Sequence, residues 1–98
     1  DRLYIIAEIL AIAKDGSLKT QIMYRANLSF AQLNEYLKFL LKMELLKTNT
    51  ESGKTMYKTT PKGVKYLENY EEISNLLRKG EGNAFKANSP LFWLKRTP

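Results

Sequence analysis

SLKTQIMYRANLSFAQLNEYLKFLLKMELLKTNTESGKTMYKTTPKG, residues 17–63, decides the fold. Ser17 reads as the N-cap of a short helix, about Leu18 to Arg25, that turns Ile22 and Met23 inward. Asn27 tolerates a left-handed backbone and closes that helix. Ser29-Phe30-Ala31-Gln32 follows at once as a capping box, with Leu28 and Leu33 placed as its hydrophobic staple. A longer helix then runs from about Phe30 to Met43. Leu33, Leu37, Leu40, Leu41 and Leu45 form its apolar stripe. Its other side carries Gln32, Glu35, Lys38 and Lys42, flanked by Asn34. Two helices a few residues apart are the sequence form of a helix-turn-helix. Next, Leu45–Asn49 and Thr55–Thr59 alternate apolar and polar residues around Thr50-Glu51-Ser52-Gly53-Lys54, the pattern of a β-hairpin.

Working outward, Leu3, Ile5, Ile6, Ile9, Leu10, Ile12 and Ala13 make residues 2–14 a first helix that is apolar around most of its girth. Asp15-Gly16 ends it, Gly16 being suited to a left-handed cap. On the far side, Thr60 and Pro61 supply an N-cap and a first helical position for a fourth helix reaching about Arg78 and stopping near Gly80. Gly63, Val64 and Leu67 face back toward the core. Tyr66, Tyr70, Ile73 and Leu77 recur in steps of four, three and four. That is a short heptad seam, read either as a dimer contact or as a helix folded on its own domain. Residues 81–98 end in Phe85, Leu91, Phe92, Trp93 and Leu94, too apolar to be left in water, so they dock on the protein or mark a partner surface. The expected division is residues 1–60 for the core with a wing at about 45–59, residues 61–80 for the dimerisation helix, and residues 81–98 for the tail.

Composition narrows the function. The 98 residues make one domain and contain neither cysteine nor histidine, which removes disulfides, thiolate metal sites and the commonest general base. No glycine-rich phosphate loop is present, so no enzyme and no cofactor are expected. No apolar run reaches membrane-spanning length and no signal-peptide pattern is read. Sixteen Lys and Arg against ten Asp and Glu leave a formal charge of +6, which points to an anionic partner.

The fold expected from the residues is mainly α with a small β-hairpin, a winged helix-turn-helix with a C-terminal dimerisation helix. KTQIMYRANLS, LNEYLKFLLKMELL and YKTTPKGVKYL resemble a family of small archaeal winged-helix DNA-binding proteins, some of them chromatin-associated. The resemblance implies a dimer formed through the C-terminal helix. Two features depart from the family pattern: the fourth helix is short, and Glu44 stands where family members usually carry Gly.

The site follows from that frame. Ser29, Gln32, Asn34, Glu35 and Lys38 are the candidate base-reading residues: amide side chains suit adenine, and a carboxylate accepts from the cytosine amino group. Lys19, Thr20, Tyr24, Arg25 and Lys42 are candidates for the DNA backbone, and Lys47, Lys54 and Lys58 for the wing. Tyr66, Tyr70, Ile73 and Leu77 are the candidate dimer residues. The same lysines also read as edge-strand guards, and the polar face also reads as plain solvated surface. The expected partners are double-stranded DNA and a second copy, with no membrane, and the expected location is the cytoplasm, on the nucleoid. A regulator, an architectural chromatin protein, and a winged helix used for protein contacts through Phe39 and the tail all fit these residues.

Overall fold

The computed structural model describes the backbone of residues 1–81 and the side chains of residues 1–78. The apolar tail read at residues 82–98 lies outside the described residues. The order is α1 (Arg2–Ile12), β1 (Ser17–Leu18), α2 (Lys19–Ala26), α3 (Phe30–Lys42), β2 (Leu46–Glu51), β3 (Lys54–Thr59) and α4 (Pro61–Glu81). The strands form one antiparallel sheet in the order β1-β3-β2.

The core is built around α1. Ile9, Leu10 and Ala7 are fully enclosed, together with Ile22 of α2, Leu33 and Leu40 of α3 and Leu67 of α4. Burying each such side chain contributes about 1.5–3 kcal/mol. α1 ends at Ile12, two residues earlier than its apolar run suggests, because Ala13 leaves the helix and Gly16 turns the chain at φ +99°.

Ser17 does not cap α2. It pairs with Tyr57, and Leu18 with Met56, as a two-residue strand on the free edge of β3. α2 is capped from within instead. The Gln21 side-chain oxygen accepts from the Leu18 N–H (2.8 Å) and from the Ser17 hydroxyl (3.1 Å). A two-residue strand is too short to leave any alternation in the sequence.

Two corners share one geometry. At the end of α2, Asn27 sits at φ 56°, with Leu28 N–H bonded to the Met23 carbonyl and Asn27 N–H to that of Tyr24. At the end of α3, Glu44 sits at φ 61°, with Leu45 N–H bonded to Leu40 and Glu44 N–H to Leu41. Both are Schellman turns, which favour Gly or Asn at the left-handed position. Glu44 therefore keeps the backbone that family glycines adopt, and it is held there from outside. Thr60 Oγ1 donates to the Glu44 carbonyl (2.6 Å), and Lys62 Nζ to that of Met43 (2.8 Å).

Thr60 Oγ1 also accepts from the Gly63 N–H (3.1 Å), capping α4 as its sequence suggests. Gly63 is buried where α4 crosses this corner. A Cβ there would stand 2.4 Å from the Leu45 carbonyl oxygen and 2.5 Å from Thr59 Cγ2. The wing turn is tighter than the five residues read from sequence: Ser52 and Gly53 alone form it, at φ 51° and 76°. Two positive-φ residues are the I′ hairpin, whose twist matches the strands it joins. α4 continues through Gly80 to Glu81.

Two stability outcomes follow. Gly63→Ala must push backbone apart and is expected to cost about 1–3 kcal/mol. Glu44→Gly relieves a left-handed side-chain residue and is expected to gain about 0.5–1 kcal/mol. Chemical denaturation of both variants beside the parent protein measures each.

Candidate nucleic-acid interface

α3 presents its outer surface to solvent along Ala31, Glu35, Lys38 and Lys42, opposite the buried Leu33, Leu37 and Leu40. The capping box at its start is fully formed. Ser29 Oγ accepts from the Gln32 N–H (3.1 Å), and Gln32 Oε1 accepts from the Ser29 N–H (3.0 Å). Ser29 and Gln32 thus commit an acceptor each to the helix start, and Asn34 is half-buried. Glu35 and Lys38 stand free on the exposed ridge.

On the α2 side of this ridge, Lys19 holds its ammonium 4.4 Å from the centroid of the Phe30 ring. Thr20, Tyr24 and Arg25 are exposed on the same helix, and Tyr24 retains 81% of its accessible surface. The structure therefore brings Lys19, at the first position of α2, next to the first residue of α3. On the other side a groove of about 620 Å³ is lined by Arg2, Ala31, Gln32, Glu35, Tyr36 and Phe39. Neither Arg2 nor Phe30 stands out in sequence, because their proximity to α3 is created by packing.

The wing lysines share a face. Opposed residues of an antiparallel ladder lie on one side of it, and Lys47 pairs with Lys58 and Glu51 with Lys54. Period-2 alternation puts 47, 49 and 51 on the same side. Lys47 and Lys58 are like charges placed directly opposite each other, a destabilising arrangement that an anion relieves. All three lysines are exposed.

The four seam residues of α4 divide. Tyr66 and Tyr70 are half-buried against the core and stack, with centroids 6.3 Å apart and planes 9° from parallel. The Tyr66 hydroxyl donates to the Leu3 carbonyl (2.9 Å), which ties α4 to the start of α1. Burial, joined for Tyr66 by the neighbouring Tyr70, pushes both phenols up from their ordinary value, so both stay protonated at neutral pH. Ile73 and Leu77 are exposed, at 58% and 59%, beside Leu76 at 70% and Leu3 at 58%. Sequence reading missed Leu76, which lies off the strict heptad line.

Helix, turn, helix and two-stranded wing around an α1 core match the winged helix-turn-helix family over residues 1–78. The chain belongs to that family. Among curated relatives, an uncharacterised protein of Methanocaldococcus jannaschii is 40% identical over 78 residues, 79% of this chain. The chain spans only about a third of that relative's length, 35%. Among solved structures, the fold is similar to Sso10a-2, a DNA-binding protein from Sulfolobus solfataricus (TM-score 0.69, 24% identity, covering 83% of this chain and 88% of that one). It is also similar to Lactococcus lactis ZitR in complex with DNA (TM-score 0.62, 22% identity, 84% of this chain and 61% of that one). Within this winged helix-turn-helix, no described helix is long and apolar enough to cross a membrane.

Proposed function

We propose that the protein binds double-stranded DNA as a homodimer and regulates transcription, with α3 in the major groove and the wing on the backbone or in the minor groove. The observation that carries this is the pairing of the open α3 ridge with a wing whose three lysines crowd one face. A helix with an outer face clear of other elements fits a major groove about 12 Å wide. The wing cations suit phosphates, which fix position without reading sequence. Lys19, Thr20, Tyr24, Arg25 and Lys42 are assigned to the backbone on the same grounds. Glu35 and Lys38 are assigned to base edges, joined by the free amide donors of Gln32. The protein is placed in the cytoplasm, on the nucleoid, by the same reading.

A second reading has support of its own. α3 carries no Arg, and Ser29 and Gln32 are engaged in their cap. A surface so poor in free readers suits a weakly sequence-specific architectural protein, which binds unrelated duplexes alike. A regulator prefers one site by roughly 10³-fold or more.

For the second copy, Leu3, Ile73, Leu76 and Leu77 offer an exposed apolar strip continuous with the Tyr66–Tyr70 stack. Strips of this kind on a soluble surface mark contacts between proteins.

Binding to mixed-sequence duplexes is expected to weaken roughly 10³–10⁵-fold between 50 and 200 mM salt for about 6–10 phosphate contacts. Lys54→Gln lowers that salt slope by about one contact for every sequence alike. A folded protein that does not bind at 50 mM salt refutes the proposal. For the dimer, Ile73→Asp is expected to give monomers in sedimentation equilibrium, and an unchanged mass removes α4 from the interface.

A further inference from the structure

The base-reading ridge of α3 lies between two cation–aromatic pairs, one on each flank. Lys19 over Phe30 marks the α2 side. Arg2 over Phe39, 6.0 Å from the ring centroid, marks the α1 side. At 100° per residue, Phe30 and Phe39 fall on opposite shoulders of α3, with Ala31 and Glu35 between them. Both rings are exposed although they are large and apolar, at 61% for Phe30 and 38% for Phe39.

We infer that Arg2, carried on the Phe39 ring, is a second backbone anchor that grips the strand across α3 from the one Lys19 grips. The inference rests on the DNA-binding reading above. An α-helix with its side chains is about 10–12 Å across, and the major groove is about as wide. A helix seated there brings its two flanks against two different strands, so one cation per flank clamps it from both walls. The groove of about 620 Å³ under Arg2 is the space the second backbone enters.

The chemistry on the two flanks matches. A cation resting on a ring face is positioned yet keeps its outward donors. Arg suits the role because its planar fork stacks on the ring and still presents N–H groups to phosphate oxygens. At 6.0 Å the guanidinium is loosely held and free to swing onto a phosphate. Two carboxylates stand near. The Asp1 carboxylate accepts from the Leu3 N–H (3.0 Å), which occupies it in capping α1. Glu35 lines the groove floor but sits on the ridge that faces base edges.

The test compares Arg2→Gln, Arg2→Lys, Lys19→Gln and the double variant Arg2→Gln/Lys19→Gln in the full chain. Each is first matched to the parent by thermal melting, since both side chains lie at the surface. The readouts are the salt slope on mixed-sequence duplex and backbone protection, strand by strand, on the duplex best retained from a random pool. Arg2→Gln is expected to lower the slope by about 0.9, Lys19→Gln by the same, and the double variant by about 1.8, with Arg2→Lys unchanged. Protection is expected to vanish from one strand in Arg2→Gln and from the opposite strand in Lys19→Gln. A parental slope in Arg2→Gln, while the parent protein binds normally, overturns the anchor and leaves the DNA-binding reading intact. Loss of protection from the same strand in both variants overturns the two-wall clamp. A parent protein with no salt-dependent binding overturns the reading beneath it as well.

Discussion

Thr59 and Thr60 hold the domain together, because every other element is bonded to this dipeptide. The Thr59 hydroxyl donates to the Leu10 carbonyl (2.7 Å), and its N–H to that of Ala13 (3.0 Å), so both bonds secure the end of α1. Lys14 N–H turns to Ala11 there, so α1 needs outside donors for its last carbonyls. Thr60 secures the other side, bonding the carbonyls of Glu44 and Leu45 while it caps α4. Both hydroxyls sit where an unpaired carbonyl would cost about 1–3 kcal/mol. Gly63 completes the joint by letting α4 lie on the Leu45 carbonyl with no side chain between them.

The functional surfaces inherit their placement from that joint. Its hydrogen bonds fix the α3 C-terminus through Glu44 and Leu45, and β3 through Thr59. The wing and the recognition helix are therefore set relative to each other at the same point. At the far end of α3, the Ser29–Gln32 box and the Schellman turn at Asn27 fix its start. α3 is pinned at both ends by backbone geometry, which leaves its middle, from Ala31 to Lys38, free of structural duties. A rigid helix with an uncommitted outer face is what a groove-reading element requires, since precision there comes from the support rather than from the reader.

Much of this was legible because it is local. Asn27, the SFAQ box, Thr60-Pro61 and the alternation on either side of Gly53 each act within a few residues, and each forms the element its residues suggest. The polar side of α3 was legible by period, yet period does not show that Gln32 turns back to its own cap. Ser17 misled for a related reason: a hydroxyl before a helix looks like a cap, while the edge of β3, 40 residues on, offers a ladder partner that no local pattern shows. Tyr66 and Tyr70 match a seam by spacing, but only packing reveals that α1 has already taken most of their surface. Arg2 and Phe39 lie 37 positions apart in sequence and meet only because α1 crosses α3.

The distribution of charge separates affinity from selectivity. Most cations assigned to DNA stand off the reading ridge: Lys19 and Arg25 on α2, Arg2 on α1, and Lys47, Lys54 and Lys58 on the wing. The ridge itself sets Glu35 beside Lys38 and Lys42, nearly neutral in sum. Phosphates surround a groove on both walls, and a carboxylate at its floor is repelled unless a base-edge donor such as the cytosine amino group receives it. Glu35 therefore acts mainly by exclusion. It adds little to binding where a donor is present and opposes binding where only acceptors face it, as with the O6 and N7 of guanine. A strongly basic periphery around such a residue yields a protein that holds any duplex by its backbone and sorts sequences by what it refuses.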